Sequence, residues 1–329
     1  HKFVAIKIHF GEMGNLAYLR PQYARALAAY IKERGGLPFL TDCNTLYVGS
    51  RKNALEHIET AYINGYTPYA TGCQVIIADG VRGTDEAYIP IGCEEVKTAK
   101  IGRAIADADI IISLNHFKGH EDAGFGGALK NLGMGSGSRA GKMEMHYDGK
   151  PVVDRDRCRG CRKCATICAN DGIHYENSKA VIDHDNCVGC GRCIAICSFD
   201  AIKPHNSSSE ASLNRRIAEY AYAVVKDKPN FHISIAADIS PNCDCHPEND
   251  APIVPNIGMF ASFDPVAIDL AAADAVNAMP ANPRSALSEA ECRCHDHFIN
   301  VHPNTNWRVQ IEHGEEIGLG SSEYELIRI

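Results

Sequence analysis

Apolar residues recur along this chain with two different periods. From Lys2 to Phe10 they alternate, with Val4, Ile6 and Ile8 on one face, and this period of two predicts a β-strand. The same reasoning predicts strands at 37–40, 75–78, 110–114 and 231–235, and helices at 21–34, 53–63, 98–106, 213–225 and 265–278. Because strands that alternate with helices need crossover connections, the pattern predicts an α/β fold with a mostly parallel sheet.

A cysteine-rich segment interrupts this alternation in the middle of the chain. Residues 151–205 carry eight of the fifteen cysteines, and the strand and helix pattern resumes after them. We therefore expect residues 1–150 and 206–329 to be the N-terminal and C-terminal parts of one α/β domain. Residues 151–205 are expected to form a separate inserted module.

The inserted segment contains two cysteine runs of identical spacing. They are Cys158-x2-Cys161-x2-Cys164-x3-Cys168 and Cys187-x2-Cys190-x2-Cys193-x3-Cys197. This spacing is typical of two [4Fe-4S] clusters in which the fourth cysteine of each run ligates the other cluster. The prediction is one cluster on Cys158, Cys161, Cys164 and Cys197, and a second cluster on Cys187, Cys190, Cys193 and Cys168. The alternative is structural zinc, which paired Cys-x2-Cys units also bind.

The same segment resembles bacterial-type two-cluster ferredoxins, which implies an α+β module that exchanges single electrons. Members of that family usually have a proline after the fourth cysteine, whereas Ala169 and Ser198 stand at those positions here. Proline is not a ligand. The departure therefore concerns the rigidity of the loop and leaves the predicted ligation unchanged.

The whole chain is acidic, with a formal net charge of −8 over 329 residues. Nucleic-acid binding relies on clustered Lys and Arg, so the composition argues against a nucleic-acid partner. A local basic set surrounds the cysteine runs and consists of Arg155, Arg157, Arg159, Arg162, Lys163 and Arg192. These residues are either solvated charges that offset cluster thiolates or a docking patch for an acidic, soluble electron carrier.

The cysteine count also bears on the compartment. Seven cysteines lie outside the two runs, and an odd remainder beside iron-sulfur motifs indicates a reducing cytoplasm rather than a disulfide framework. No apolar run reaches the roughly 18 residues that a bilayer requires, so we expect no membrane partner. The chain begins at His1 inside a predicted strand, which is compatible with a leader that has been removed.

A glycine-rich segment, residues 115–141, directly follows a predicted buried strand. Open α/β sheets place their ligands at that position, and glycines let backbone N–H groups approach an anion closely. The candidate catalytic residues there are His116, Lys118, His120 and Lys130. The imidazoles could act as acid and base, and the lysines could hold the carboxylate or phosphate of a small anionic substrate. The alternative is that the histidines hydrogen-bond loops and the lysines are solvated.

Further residues could hold an additional metal ion. Cys243 and Cys245 belong to the run Cys243-Asp244-Cys245-His246, whose side chains are all metal ligands, although a pair of buried thiols is the alternative. A second candidate set comprises Cys292, Cys294, His295, His297 and His302. Four other polar residues, namely His9, Glu12, Asp42 and Asn44, are open candidates for substrate contacts, and Asp264 is expected to cap a helix.

Several segments together resemble the domain-of-unknown-function-362 family of iron-sulfur proteins. They are Lys7-Ile8-His9-Phe10-Gly11-Glu12, Thr41-Asp42-Cys43-Asn44-Thr45-Leu46-Tyr47, His116 to Gly135, and Asp244-Cys245 with Ser262-Phe263-Asp264-Pro265-Val266-Ala267-Ile268-Asp269. The resemblance spans nearly the whole chain. It implies a fold and clusters, and no particular reaction.

A shorter segment is similar to the N-terminal domain of nickel-dependent lactate racemases. The motif of that family is His-x2-Ala-Gly-x-Ser-Gly-Gly-x-Lys, in which the histidine is catalytic and the lysine carries a nickel-pincer cofactor. The matching residues here are His120, Ala123, Gly124, Gly127 and Lys130, whereas Gly126 and Ala128 depart from the motif.

Taken together, these patterns predict an iron-sulfur oxidoreductase or electron-transfer protein. Two [4Fe-4S] clusters would accept electrons from a soluble carrier and pass them to a pocket in the α/β domain. One alternative is a non-redox isomerase or racemase-like enzyme that uses His116 and His120 and has structural clusters. Another is a plain electron carrier without a catalytic pocket.

Overall fold

The fold is described from a computed structural model. It describes residues 1–46, 49–147, 150–168, 170–187, 189–204, 210–291 and 294–329. Four residues named above lie outside these ranges, namely Tyr47, Ala169, His205 and Cys292.

A six-stranded sheet forms the centre of the molecule. Its strands are β1 (Phe3–Lys7), β2 (Leu37–Asp42), β3 (Gln74–Ile77), β6 (Ile110–His116), β13 (Asn230–Ala236) and β14 (Gly258–Ser262). The order is β14-β13-β6-β1-β2-β3, and every pair is parallel except β13 with β14. The predicted α/β class with a mostly parallel sheet is confirmed.

The remaining strands form two-stranded sheets outside the central one. They are β4 (Glu86–Pro90), β5 (Thr98–Gly102), β7 (Lys118–His120), β8 (Gly124–Gly126), β9 (Pro151–Val153), β10 (Ile173–Glu176), β11 (Lys179–Ile182) and β12 (Ile202–Pro204). The pairs are β4 with β5, β7 with β8, β9 with β12 and β10 with β11, all of them antiparallel.

Of the five predicted helices, three begin within one residue of the predicted start, at 21, 54 and 265. The helices of the described residues follow in chain order. They are α1 (Pro21–Glu33), α2 (Ala54–Ile63), α3 (Pro68–Thr71), α4 (Arg103–Asp107), α5 (Ala128–Ser136), α6 (Arg139–Tyr147), α7 (Lys163–Ile167), α8 (Arg192–Ile196), α9 (Glu210–Val225), α10 (Pro265–Asn277), α11 (Ala286–Glu289), α12 (His297–Val301) and α13 (Arg308–Glu316). The Asp264 carboxylate accepts the N–H groups of Val266 and Ala267, which confirms the predicted cap.

Both faces of β1 are buried from Val4 to Lys7. In β1, Val4 and Ile6 pack with α1, whereas Ala5 packs on the opposite face among residues of α5, α9 and α10. Successive side chains of a strand point to opposite faces, so a strand that is covered on both sides carries apolar residues at consecutive positions. The exception is Lys7, a charged residue that is fully buried at the end of β1.

The prediction of a helix over 98–106 was wrong in its first half. Thr98–Gly102 is β5, and the helix begins only at Arg103. Ala99 and Ile101 are buried while their neighbours are partly exposed. This alternation suits a hairpin with β4, and the pairing partner lies too far along the chain to be visible in a short window.

The glycine-rich segment forms the hairpin of β7 and β8 and then helix α5, and the start of α5 is not open to an anion. The first N–H groups of α5, those of Ala128 and Leu129, donate to the Asp269 carboxylate at 2.6 and 2.8 Å. A buried carboxylate therefore occupies the place expected for an anion. A Cβ at Gly133 would lie 2.2 Å from the carbonyl oxygen of Ile217 in α9. This glycine allows α5 and α9 to pack closely.

Between α6 and α9 the chain leaves the central sheet and repeats itself after 29 positions. Asp154 and Asp183 are equivalent, and their carbonyl oxygens accept the N–H groups of Cys158 and Cys187, both at 3.0 Å. Helices α7 and α8 follow at equivalent positions. Whether this segment is a separate domain with the predicted boundaries stays a prediction.

Candidate functional site

A pocket lies at the carboxyl ends of β1, β2 and β6. The strand order reverses here, because β2 and β3 lie on one side of β1 whereas β6 and β13 lie on the other. Open α/β sheets bind their ligands at this kind of switch point. The polar side chains that line the pocket are His9, Asp42, Arg51, His116, Lys118, His120, Glu121, Lys130, Lys142, His146, Cys243 and Cys245.

The floor of the pocket holds an ion pair without access to solvent. Lys7 Nζ lies 2.9 Å from Asp42 Oδ1 and donates to Asn131 Oδ1 at 2.7 Å. Burial lowers the pKa of Lys7. Burial opposes ionisation of Asp42 as well, but the charges of Lys7 and His57 outweigh it and hold the pKa of this carboxyl below its usual value.

A second ion pair closes one side of the pocket. Arg51 Nε lies 3.0 Å from Glu12 Oε2, and Arg51 Nη1 lies 3.0 Å from His9 Nε2. Burial, assisted by the charge of Arg51, lowers the pKa of His9 to about 3. His9 is therefore neutral at pH 7 and cannot serve there as a charged anion ligand.

His116 is held by hydrogen bonds on both sides of its ring. Nδ1 lies 2.9 Å from both carboxylate oxygens of Asp244, and Nε2 lies 2.9 Å from the carbonyl oxygen of Ala237. Lys118 Nζ lies 3.5 Å from the same Asp244 carboxylate. Both ring nitrogens of His116 are engaged, so this geometry makes His116 a positioning residue.

His120 and Lys130 meet at the thiol of Cys243. The Nδ1 atom of His120 accepts the N–H groups of Asp122 and Ala123 at 3.1 and 3.2 Å. Because Nδ1 is an acceptor, the ring hydrogen lies on Nε2, and the ring contributes to lowering the pKa of Cys243. Lys130 Nζ lies 3.8 Å from Cys243 Sγ.

The two cysteines of the pocket lie in one turn. The N–H of His246 donates to the carbonyl oxygen of Cys243 at 3.1 Å. The hydrogen bond from Cys245 lowers the pKa of Cys243 well below its usual value, against the effect of burial and with the help of Lys130. The same hydrogen bond raises the pKa of Cys245.

Glu121 and His246 form the rim beside Cys245. Glu121 Oε1 lies 2.9 Å from His246 Nε2. This contact outweighs the opposing effect of burial and raises the pKa of His246 to about 9. Glu121, Cys245 and His246 each offer an atom within 4.8 Å of the others, as do His120, Glu121 and Asp122. Groups of a kind that can bind a metal are therefore present at the predicted additional site.

Helix α6 separates the pocket from the cysteine-rich segment. Lys142 and His146, four residues apart, line the pocket. Arg139 and Met143 lie on another face, where Met143 packs in one apolar cluster with Cys158, Cys164 and Cys193. Burial lowers the pKa of His146 to about 3.

The eight cysteines of the two runs line two small cavities. Cys158, Cys161, Cys164 and Cys197 line one cavity, and Cys168, Cys187, Cys190 and Cys193 line the other. Each cavity combines three cysteines of one run with the fourth cysteine of the other. These are the two sets expected for crossed ligation, and the clusters themselves stay a prediction.

This geometry can be set beside known protein families. The family model described as "Domain of unknown function (DUF362)" matches residues 4–274. The protein belongs to this family. Among curated proteins, none matches the sequence of this DUF362 chain.

Two solved structures show a distant likeness to the DUF362 chain. One is the lactate racemase apoprotein from Thermoanaerobacterium thermosaccharolyticum, with a TM-score of 0.37 and 12% identity over 72% of this chain and 42% of that chain. The other is a structural-genomics target from Thermotoga maritima, with a TM-score of 0.37 and 13% identity over 71% of this chain and 46% of that chain. The DUF362 chain spans less than half the length of either protein. We draw nothing on function from a likeness at this level.

The remaining candidate residues of the DUF362 protein make contacts with other parts of the protein. Asn44 donates to Asp79 and has no place in the pocket lining. In the second proposed metal set, Cys294 contacts Asn300, whereas His297 and His302 bind the carbonyl oxygens of Met279 and Pro241. Within the described residues, this set forms no metal-binding group.

Sequence reasoning missed several residues of the pocket. Arg51, Glu121, Lys142 and His146 were not selected, although all four line it. Three of them left a signal, because Glu121 is adjacent to His120 and Lys142 is four residues before His146 on a helix. Arg51 left none, since its position follows only from its contacts with Glu12, His9 and Asp42.

Proposed function

We propose that this DUF362 protein binds two [4Fe-4S] clusters through its eight paired cysteines and delivers electrons to the pocket at the switch point of the sheet. The observation that carries the proposal is which cysteines line each of the two cavities. Each holds four thiols from both runs, as crossed cluster ligation requires. The segment 151–205 is then the inserted ferredoxin module.

The surroundings of the cysteines fit cluster ligands. The N–H groups of Ala180 and Ala201 donate to the sulfurs of Cys158 and Cys197 at 3.4 and 3.3 Å. Tyr175 Oη lies 3.3 Å from Cys164 Sγ. Hydrogen bonds to sulfur stabilise thiolate ligands and tune the potential of a bound cluster. When bound, the clusters supply single-electron transfer.

Helix α6 gives the module a short connection to the pocket. Arg139 lies against Gly191, where a Cβ would be 2.8 Å from the Arg139 Cγ atom. Lys142 and His146 of the same helix line the pocket. The second cysteine cavity and the pocket therefore lie on two sides of one helix, which is a favourable arrangement for passing electrons between them.

The partner that fits the module is an acidic, soluble electron carrier. Arg159, Arg162 and Lys163 are exposed around Cys158 and Cys161. Among the described residues, none of these three cations has a carboxylate within ion-pair distance. An uncompensated positive patch attracts an acidic partner through long-range electrostatics.

The pocket fits a small anionic substrate. Among the described residues, Lys130 and Lys142 have no carboxylate partner within ion-pair distance, and Lys142 Nζ donates only to carbonyl oxygens, such as that of Gly137 at 2.6 Å. Lys130 contacts the Cys243 sulfur, so Lys142 is the buried ammonium group without a counter-charge here, and such a group favours binding of a carboxylate or phosphate.

The proposal is tested by elemental analysis and electron paramagnetic resonance of protein purified without oxygen. We expect about eight irons per chain, matching sulfide, and signals of reduced clusters after dithionite. Cys197→Ser should remove the cluster of the first cavity, and Cys168→Ser that of the second. Cys93→Ser, outside both cavities, serves as control. Zinc in place of iron would overturn the proposal.

A racemase-like activity is the second candidate, and one observation favours it. His120 and Lys130, the two functional positions of the racemase motif, meet at one pocket. Against it, the ring nitrogens of His116 are both engaged. This candidate would be supported by stoichiometric nickel in the purified protein. It would also require a racemase activity whose rate does not depend on the oxidation state of the clusters.

A further inference from the structure

We infer that Cys243 and Cys245 form a redox-active dithiol that cycles between two thiols and an internal disulfide. Both residues line the pocket at the switch point of the sheet. They are separated by Asp244 in the turn that the N–H of His246 closes on the carbonyl of Cys243. The turn brings both side chains to the lining of the same pocket, where each thiol shifts the pKa of the other.

Two hydrogen-bond donors favour the thiolate form of Cys243. Lys130 Nζ lies 3.8 Å from its sulfur, and the ring of His120 donates through Nε2. The tautomer of His120 is set by the backbone, because the N–H groups of Asp122 and Ala123 point at Nδ1. Cationic and N–H donors beside a cysteine increase its thiolate fraction, which is the reactive form in thiol–disulfide chemistry.

The same contacts disfavour a metal ion between the two sulfurs. A neutral His120 that accepts through Nδ1 carries a hydrogen on Nε2 and has no lone pair there for a metal. His246 is engaged by Glu121 through Nε2 and by Glu248 through Nδ1. The ammonium group of Lys130 would also repel a divalent cation from Cys243.

The oxidation is balanced as follows. The Cys243 thiolate and the Cys245 thiol join in one S–S bond and release one proton and two electrons. The proton leaves to solvent at the rim of the pocket, where Cys245 is partly exposed. The electrons go to one-electron carriers of the iron-sulfur class, one to each. Only this electron supply rests on the proposed function.

The dithiol is tested on the full-length protein under anaerobic conditions. The protein is equilibrated with mixtures of reduced and oxidised dithiothreitol, alkylated with N-ethylmaleimide and mapped by mass spectrometry. We expect the peptide with Cys243 and Cys245 to change from doubly alkylated to unalkylated and two hydrogens lighter as the buffer becomes oxidising. Cys43 and Cys73, which are buried separately, should stay as thiols.

A second measurement tests the activation of Cys243. In the Cys245→Ser variant, the rate of alkylation of Cys243 should rise with pH to a midpoint below the value of about 8.5 for a free cysteine. Adding Lys130→Gln should move this midpoint to higher pH. Adding Lys142→Gln, which removes a charge of the same pocket that does not contact Cys243, should move it less.

Several outcomes would overturn the inference. One is alkylation of both cysteines in every buffer. Another is a stoichiometric metal that both Cys243→Ser and Cys245→Ser release, since this would assign the pair to metal binding. Iron content and cluster spectra of the same samples separate the two proposals. Clusters without a disulfide contradict only the dithiol, and a disulfide without clusters contradicts only the proposed electron supply.

Discussion

Several ionisable residues of this protein are buried, and burial acts against their charged forms. His232 lies inside β13, between Ser113 Oγ at 2.8 Å and Asn230 Oδ1 at 2.9 Å. Burial lowers its pKa to about 4. Asp244 shows the opposite case, since His116 and Lys118 keep its carboxylate ionised and its pKa low, although burial acts against this. These residues link folding stability to pH.

His232 should make the protein less stable in mild acid. Between about pH 6.5 and pH 4 the unfolded chain binds a proton at this residue and the folded chain does not, so stability falls as the pH falls. At pH 5 this amounts to about 2 kcal/mol. Chemical unfolding at pH 7 and pH 5 should show a smaller loss for His232→Gln than for the wild type. His174→Gln, at an exposed position, should behave like the wild type.

Asp244→Asn should strongly destabilise the fold. The substitution leaves Lys118 and His116 buried without their shared carboxylate, and breaking a buried charge pair from one side costs about 3 to 5 kcal/mol. The carboxylate contributes above the unfolded pKa of about 3.9 and its contribution is lost as the pH falls further, so the difference should shrink in strong acid. The loss is measured by comparing the free energy of unfolding in urea of Asp244→Asn with that of Asp250→Asn, a nearby exposed position. A loss below about 1 kcal/mol contradicts this account.

The 29-residue repeat of the cysteine-rich segment places equivalent residues just before α7 and α8. Arg162 and Gly191 occupy equivalent positions just before α7 and α8, with left-handed φ angles of 65° and 64°. A side chain is thus tolerated in this conformation at Arg162. Gly191 is required for another reason, because a Cβ there would meet Arg139 Cγ at 2.8 Å. The contact between the module and α6 therefore depends on this glycine.

Gly191→Ala should loosen the second cysteine cavity. The left-handed backbone costs about 1 to 2 kcal/mol for a residue with a Cβ, and the contact with Arg139 adds to this. We expect a lower thermal unfolding temperature and loss of iron, up to about the four atoms of one cluster. Arg162→Ala is the matched control and should retain its iron. Equal iron content in both variants would mean that the close contact is unimportant.

Charge is distributed unevenly over the whole molecule. The net charge is −8, yet exposed cations surround the first cysteine run. Within the described residues, no helix has both the length and the apolar character needed to cross a membrane. The positive region is the surface at which an acidic electron carrier is proposed to dock.

Reversing the positive patch should slow reduction by an acidic carrier. The double variant Arg159→Glu with Lys163→Glu should lower the second-order rate of reduction by a ferredoxin-type donor about tenfold or more at low salt. The difference should narrow at high ionic strength, because salt screens exposed charges. Arg25→Glu with Lys32→Glu, both exposed on α1, changes the net charge by the same amount and serves as control. If both variants are slowed equally, the patch is not the docking site.

Local sequence features determined much of this architecture. The period of two in β1, the Asp264 cap and the spacing of the cysteine runs all depend on neighbours within a few residues, so they are visible in a short window. The hairpin of β4 and β5 was not visible, since its pairing joins residues on either side of a loop. The glycines of α5 serve a contact with α9 that no local pattern contains.

The pocket itself was decided by the tertiary structure. The sequence alone selected His120, Lys130 and the pair Cys243 and Cys245 as candidate functional residues. It did not determine that Lys130 lies beside Cys243, which is 113 positions away along the chain. Sheet order brings the ends of β1, β2 and β6 together, and burial then shifts the pKa values there. Both effects depend on distance in space, which the order of residues does not contain.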